Sequence, residues 1–268
     1  MRVGYIQFAP LLGELEHNRE IVRGLLEAAP PADLLVLPEL ANSGYHFARA
    51  EDAAAAAESA RDGAYTRLLT SFAAESSCSV VSGLCERDGD QIYNSAILVG
   101  PGGWIGTYRK LHLFSGERDL FSPGDLGLPV FDLGPVRVGL LVCFDWQFVE
   151  TWRVLALRGA EVICHPSNLV IPDRCQRAVP IHAMLNRLFV VTANRIGSER
   201  GLSFTGRSFV ADPRGEVLAE APSDRPESRV VEIDPTLARD KAVTPRNDLL
   251  GDRRPEWYGP ITARPENG

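Results

Sequence analysis

The sequence predicts an α/β layered domain built on a mixed sheet or sheets. Short strand-like apolar runs alternate with helix-like runs through most of the 268 residues, the element order that layers helices over sheets. Hairpin-like pairs sit among them, which a purely parallel sheet lacks. Neither an internal repeat nor a low-complexity linker splits the chain, so one domain over 1–268 is expected.

Residues 2–8 alternate as a strand. Residues 18–29 carry Ile21, Val22, Leu25 and Leu26 at amphipathic-helix spacing and stop at Pro30-Pro31. Residues 34–37 form a short apolar strand that leaves through Pro38-Glu39. The alanine-rich 53–74 predicts a helix. Residues 79–86 and 95–99 predict strands, and Pro101-Gly102-Gly103 a turn into the strand 104–109. Then follow a strand at 136–142, a helix at 148–158, a short buried strand at 162–165, a helix at 178–188 and a strand at 189–193. Residues 204–211 and 217–220 read as a hairpin around Asp212-Pro213-Arg214-Gly215, and 229–233 as the last strand. From about Asp240 the chain turns polar, with Trp257 and Tyr258 near its tip. Such a segment is poorly anchored by itself and is expected to dock, on a second subunit for instance.

Composition narrows the function classes. The hydrophobic share is 45%, the charged share 24% and the net charge −7, as in a soluble globular protein. There is no basic stripe for phosphate backbones, so no nucleic-acid partner is expected. No stretch approaches the ~20 apolar residues of a membrane helix, and the opening MRVGYIQFAP goes straight into a strand with no signal peptide. The cysteines Cys78, Cys85, Cys143, Cys164 and Cys175 are odd in number and form no CxxC, which argues for reduced thiols in a cytoplasm. The scattered histidines His17, His46, His112, His165 and His182 form no HxxxH or HExxH, so no metal is expected. No phosphate-cradling glycine motif is present, and no cofactor is expected.

Chemistry concentrates where apolar runs end. LLVLP delivers Glu39, WIGTYR delivers Lys110, and VGLLV delivers Cys143. Strand ends of α/β sheets favour sites. A thiol is a strong nucleophile as the thiolate, which a nearby base or cation promotes. A carboxylate can take the thiol proton and later deliver it to a leaving amine, while a lysine and the Phe144 N–H can hold an oxyanion. Taken singly, each has a bland reading as core thiol, loop carboxylate or solvated lysine. A Cys–His pair through His112 or His165 is another arrangement; His112 is more simply a structural hydrogen-bonding residue, and Cys164 a core residue.

LLVLPEL, GTYRKLHLF and GLLVCFDWQF, in that order, resemble the three signature segments of the nitrilase superfamily, the carbon–nitrogen hydrolases. The likeness runs over nearly the whole chain, through YIQFAP, SGYHF, YNSAILVGPGGWIGTYRK, FSPGD, HPSN, VVTANRIG and RNDLLGDRRPEWY. It implies a four-layer α-β-β-α sandwich that pairs into an eight-layer homodimer, with the tail 240–268 crossing onto the partner. It implies Glu39 as general base, Lys110 as oxyanion lysine, Cys143 as nucleophile, and Glu117 as the glutamate that positions lysine and substrate. Tyr45, Trp146, Asn168 and Leu169 are the expected substrate-binding residues; Trp146 has a packing aromatic as its alternative, and Asn168 a turn residue capping its own loop.

Two departures stand out. CFD replaces the CYD common in small members, which removes a hydroxyl at Phe144 but not the backbone donor. Leu185-Asn186 stands where the family usually has Glu-Asn, which bears on fine positioning and substrate preference.

The resulting expectation is a cytoplasmic cysteine-dependent hydrolase of a small, non-peptide amide, working through a thioester and releasing ammonia. The alternatives are an N-carbamoyl amine or amino acid amidohydrolase, a nitrilase, and a non-catalytic scaffold. A charged substrate would need a pocket charge. Arg174, Arg177 and Arg195 are candidates, each more ordinarily a surface arginine.

Overall fold

Most of the apolar runs become strands of two six-stranded sheets. The structure, a computed structural model, describes residues 1–263. In chain order it begins with β1 (Arg2–Gln7), α1 (Leu15–Ala28), β2 (Leu34–Val36), α2 (Ala50–Ala56), α3 (Ala64–Ser76), β3 (Ser79–Asp88), β4 (Gln91–Gly100) and β5 (Gly103–Arg109). Next come β6 (Val130–Asp132), β7 (Arg137–Leu140), α4 (Val149–Leu157), β8 (Val162–Ser167), α5 (Arg174–Asn186) and β9 (Phe189–Asn194). A small ribbon of β10 (Ser198–Glu199) and β11 (Leu202–Ser203) precedes β12 (Phe209–Ala211), β13 (Val217–Glu220), β14 (Glu227–Glu232) and α6 (Thr236–Arg239). A second ribbon, β15 (Ala242–Thr244) with β16 (Asn247–Asp248), opens the tail.

The first sheet runs β14-β1-β2-β3-β4-β5 and the second β13-β12-β9-β8-β7-β6. In each, three parallel strands form the centre and antiparallel strands the edges. The central strands are buried along their length, as parallel strands covered on both faces must be. Alternation then sorts the side chains. Val3, Tyr5, Leu34 and Val36 of the first sheet share a core with Leu140, Val162, Cys164 and Val191 of the second. On the opposite face of the first sheet, Ile6, Leu35 and Val80 meet Val22 and Leu26 of α1 and Leu69 and Ala73 of α3. Trp152 and Leu155 of α4 and Val179 and Ala183 of α5 cover the second sheet. The layers are therefore α-β-β-α, the expected sandwich.

Several boundaries differ from expectation. The helix expected over 53–74 is two helices, α2 and α3. The break forms because Glu58 leaves the helix to bridge Glu86 of β3, and its carboxylate accepts the Tyr65 N–H at 2.9 Å at the start of α3. α5 starts earlier than expected and carries Pro180 within it. The strand expected over 204–211 is regular only over β12; before it, Thr205 and Gly206 bend away to accept hydrogen bonds from the Asn194 amide. In the tail, Trp257 is 73% exposed. Residues 264–268 of the expected tail lie outside the described ones.

Among the described residues no helix is long and apolar enough to cross a membrane, and no group of three or more His, Cys, Asp or Glu is placed to hold a metal ion. The five cysteines are buried and unpaired.

Candidate active site

Glu39 follows β2, which is locked between β1 and β3. The Gly83 N–H of β3 donates to the Pro38 carbonyl at 3.0 Å. A Cβ on Gly83 would lie 2.4 Å from Glu39 Cα and 2.3 Å from Leu40 N, so only glycine lets the base loop lie this close on its neighbour. Leu40 takes a left-handed φ of 48°, which turns the chain sharply and leaves Glu39 fully buried. Its Oε1 accepts from Lys110 Nζ and from Asn94 Nδ2, each at 2.7 Å. Its Oε2 is buried and takes no donor from the described residues.

Lys110 follows β5, and its N–H donates to the Asn94 carbonyl at 2.8 Å. The preceding Arg109 pins the strand end by pairing with Glu86, Asp88 and Asp125 at 2.7, 2.6 and 2.9 Å, with its guanidinium over the Tyr93 ring. Lys110 Nζ also donates to Glu117 Oε1 at 2.7 Å. That same oxygen accepts the Tyr45 hydroxyl at 2.7 Å, while Oε2 accepts the Phe114 N–H at 3.1 Å. Two of the three ammonium N–H bonds are thereby committed, leaving one. Burial pulls the Lys110 pKa down, but Glu117 and Glu39 more than reverse this. It is held as a cation.

Cys143 sits on a sharp elbow after β7, with φ at 42°, a conformation costing a non-glycine residue ~1–2 kcal/mol. Its neighbours hold it there. The Leu141 N–H donates to the Cys164 carbonyl at 3.1 Å. Val142 N–H donates to Asp145 Oδ2 at 3.0 Å, and Asp145 also accepts from the Tyr108 hydroxyl and from the His112 N–H and Nδ1. The His112 ring stacks on Phe148 at 3.5 Å. Asn168 joins the elbow to the base loop: its backbone N–H is directed at the Cys143 thiol, and its side-chain amide donates to the Glu39 carbonyl at 3.0 Å. Leu169 N–H is held by Asn194 Oδ1 at 2.9 Å.

These groups act on one another electrostatically. Burial pushes the Cys143 thiol well up, and Glu39 and Glu117 push it further, against Lys110 and the Asn168 N–H. Lys110 does favour the thiolate, as a cation should, but burial and the carboxylates outweigh it. One ammonium faces two carboxylates, so the resting sulfur is a neutral thiol that needs a proton acceptor when it attacks. Burial also raises the Glu39 carboxyl; Lys110 opposes this and Glu117 adds to it.

Glu39, Lys110, Glu117 and Cys143, separated in sequence, therefore meet. A small cavity of about 40 Å³ is lined by Cys143, Phe144, Trp146, Asn168, Leu169 and Phe114, among others. A larger one of about 290 Å³ is lined by Tyr45, Glu117 and Asp119, and shares Phe114 and Val170 with the first. Trp146 is a half-buried wall residue, and Asn168 is no self-capping turn residue but a bridge. The Tyr45 hydroxyl is committed to Glu117.

Other candidates stay apart. Neither histidine makes a Cys–His pair: His112 is bound to Asp145, and His165 Nε2 meets the Cys143 carbonyl, at 2.9 Å, rather than its sulfur. Arg174 and Arg177 are exposed and line neither cavity. Arg195 is not a surface arginine. It is buried, pairs with Glu199 at 3.1 Å, donates to the Pro10 carbonyl at 3.0 Å and lies over Phe204. Glu199 in turn accepts the Tyr45 N–H at 3.0 Å. Leu185 is 47% exposed on α5 and lines an outer groove with Val154 and Leu157, so the carboxylate missing there removes no contact from the site.

Sequence reasoning passed over Asn94, Gly83, Tyr108 and Asn194. One signal was available for Asn94: asparagine inside an apolar strand run, YNSAILV, is unfavourable unless its amide has work to do.

Comparison with known proteins agrees with this geometry. Residues 2–242 match the family described as carbon-nitrogen hydrolase. Over 260 residues the chain is 46% identical to a nitrilase of Pyrococcus abyssi (strain GE5 / Orsay), covering 96% of this chain and 99% of that one. It is 37% identical over 270 residues to an (R)-stereoselective amidase of Pseudomonas sp., covering 99% and 96%. Among solved structures, an amidase from Nesterenkonia sp. AN1 superposes with a TM-score of 0.79 at 28% identity, covering 96% of this chain and 97% of that one. In that structure, a glutamate-to-glutamine mutant, acrylamide has added to the active-site cysteine by Michael addition. With a match spanning nearly the whole sequence and a fold shared with an amidase, the chain belongs to the carbon–nitrogen hydrolase family of the nitrilase superfamily, and it is a hydrolase acting on amides.

Proposed function

We propose that the chain hydrolyses a small uncharged amide to its carboxylic acid and ammonia through a thioester on Cys143. The observation that carries this reading is the division of labour on Glu39. Oε1 is occupied by Lys110 and Asn94, while the buried Oε2 has no donor among the described residues, in a site whose thiol must lose a proton to react.

Glu39 takes the thiol proton as Sγ bonds to the amide carbon. The remaining Lys110 N–H and the Phe144 N–H hold the oxyanion; Phe144 lies in the first turn of the 3₁₀ segment Cys143–Gln147, where N–H groups have no partner within the helix. Glu39 passes its proton to the amide nitrogen, the C–N bond breaks and ammonia leaves. Glu39 then deprotonates a water that attacks the thioester, and the proton returns to sulfur as the acid departs. Glu117 and Tyr45 hold Lys110 in place. Trp146, Asn168 and Leu169 shape the acyl side.

The smaller cavity has no charged side chain in its wall, and Arg195 is committed to Glu199. This favours a neutral, apolar acyl group over one bearing a carboxylate. The N-carbamoyl amine reading rests on Asp119 in the wall of the larger cavity, where it can face an ammonium. Ammonia release from short aliphatic amides, ω-amides, N-carbamoyl amines and nitriles, run beside Cys143→Ala, tests the assignment. Turnover by the wild type alone supports it, and full activity of Cys143→Ala overturns it.

The same reading includes a homodimer. Exposed Ile181, Met184 and Leu185 on α5, together with Trp257 and Ile261 of the tail, supply apolar surface for a second copy. Sedimentation of the intact chain tests it, and a monomer at working concentration would refute it.

A further inference from the structure

The Cys143–Phe144 peptide is held at one end and used at the other. Its carbonyl is the one that His165 Nε2 meets at 2.9 Å. Its N–H is the backbone donor that the mechanism above assigns to the oxyanion. No described peptide bond is cis, and in a planar trans peptide the C=O and N–H point in opposite directions. Whatever fixes the carbonyl therefore fixes the direction of the N–H.

His165 is well suited to that task. A carbonyl only accepts, so Nε2 must carry the ring proton, and Nδ1 is left to accept from the Thr192 hydroxyl at 3.1 Å. Thr192 sits opposite His165 in the β8–β9 register, so the ring is set by a partner across a parallel ladder. His165 is fully buried. Burial pulls its pKa down to about 4, which keeps it a neutral donor through the ordinary working range. Meanwhile the Cys143 φ of 42° gives the peptide a reason to rotate away if released.

We propose that His165 is a positioning residue that aims the oxyanion donor: by gripping the Cys143 carbonyl it turns the Phe144 N–H toward the developing negative charge. This rests on the reading of Cys143 and Phe144 given above. Donating to the carbonyl also polarises the peptide and strengthens its N–H as a donor.

Two variants and two reactions test it. His165→Leu removes the donor; His165→Gln restores an N–H of similar reach. Turnover of the preferred amide builds an oxyanion. Alkylation of Cys143 by iodoacetamide displaces iodide at a saturated carbon and builds none. Expected for His165→Leu is a fall in kcat of ~10²–10³-fold, the cost of losing one oxyanion donor, with KM and the alkylation rate unchanged. His165→Gln should recover most of the loss. Full turnover by His165→Leu, or a parallel fall in turnover and alkylation, would overturn the proposal. Should His165→Leu not fold, His165→Asn, whose amide is too short to reach the carbonyl, takes its place: a fall in kcat of ~10²-fold at the wild-type alkylation rate supports the proposal, and wild-type turnover overturns it. Retained activity in Cys143→Ala would sink the underlying mechanism, whereas an inactive Cys143→Ala beside a fully active His165→Leu would sink this inference alone.

Discussion

The Tyr108 hydroxyl donates to Asp145 Oδ2 at 2.7 Å, and both residues are fully buried. Tyr108 belongs to β5 of the first sheet, just before Lys110. Asp145 lies just after Cys143, on the elbow that leaves the second sheet. The bond thus ties the lysine strand to the nucleophile elbow across the sandwich. Tyr108→Phe keeps the ring and removes this tie. A buried hydrogen bond to a charged group contributes ~1.5–3 kcal/mol, and small misplacement of reacting groups costs up to ~10²-fold in rate. Tyr108→Phe is expected to lower both unfolding stability and kcat. A stability loss with kcat intact would reduce the tie to a packing feature.

Gly83 governs the placement of Glu39. An added methyl would collide with backbone atoms of Glu39 and Leu40, which no side-chain rotation can relieve. Gly83→Ala is expected to cost ~1–3 kcal/mol of stability through overpacking and ~10²-fold in kcat through displacement of the base. Gly89 has φ at 57° but open space around it, so Gly89→Ala is the matched control for backbone strain without collision. Equal kinetic losses in the two variants would contradict the role given to Gly83.

Asn94 tunes the same carboxylate. Burial raises the Glu39 pKa, and the hydrogen bond from Asn94 opposes the rise. As a general base Glu39 works deprotonated, so activity climbs as pH rises through its pKa. Asn94→Ala removes the opposing donor, so the acidic limb of kcat/KM is expected to move to higher pH. A limb that stays in place, or moves to lower pH, would mean that Glu39 does not set it.

What the sequence displayed and what it concealed follow from range. Glu39, Lys110 and Cys143 each end an apolar run within their own segment, so a local pattern exposes them, and the signature resemblance orders them. The helix break near Glu58 is hidden because alanine-rich composition reports helix propensity, while the bridge from Glu58 to Glu86 is a tertiary event. Arg195 looked like a surface arginine because the segment that buries it includes the distant Pro10 carbonyl, which joins the nearby Glu199 and Phe204 only in the fold. Gly83 is unremarkable in its own strand, and Asn94 is marked there only as a polar residue in an apolar run; both acquire their meaning where Glu39 is laid beside them. His165 was open to reading as a Cys–His partner, and only the carbonyl it meets separates that reading from the one proposed above.

His165 also links protonation to folding. Its pKa falls from an ordinary 6.5 to about 4 on burial. Between those values the unfolded chain binds the proton that the folded chain refuses, so stability rises with pH across the window. The contribution is complete above about 6.5 and is lost as pH falls toward about 4. At about 1.4 kcal/mol per pH unit the total is ~3 kcal/mol. Carboxylates titrate in the lower part of the same window, so the informative quantity is the difference between wild type and His165→Gln, in which the imidazole alone is gone. Urea unfolding at pH values spanning the window is expected to show the wild type losing stability more steeply with acid than the variant. Parallel profiles would mean that His165 takes up its proton at the same pH in the folded as in the unfolded chain, so that burial does not hold it neutral across this window.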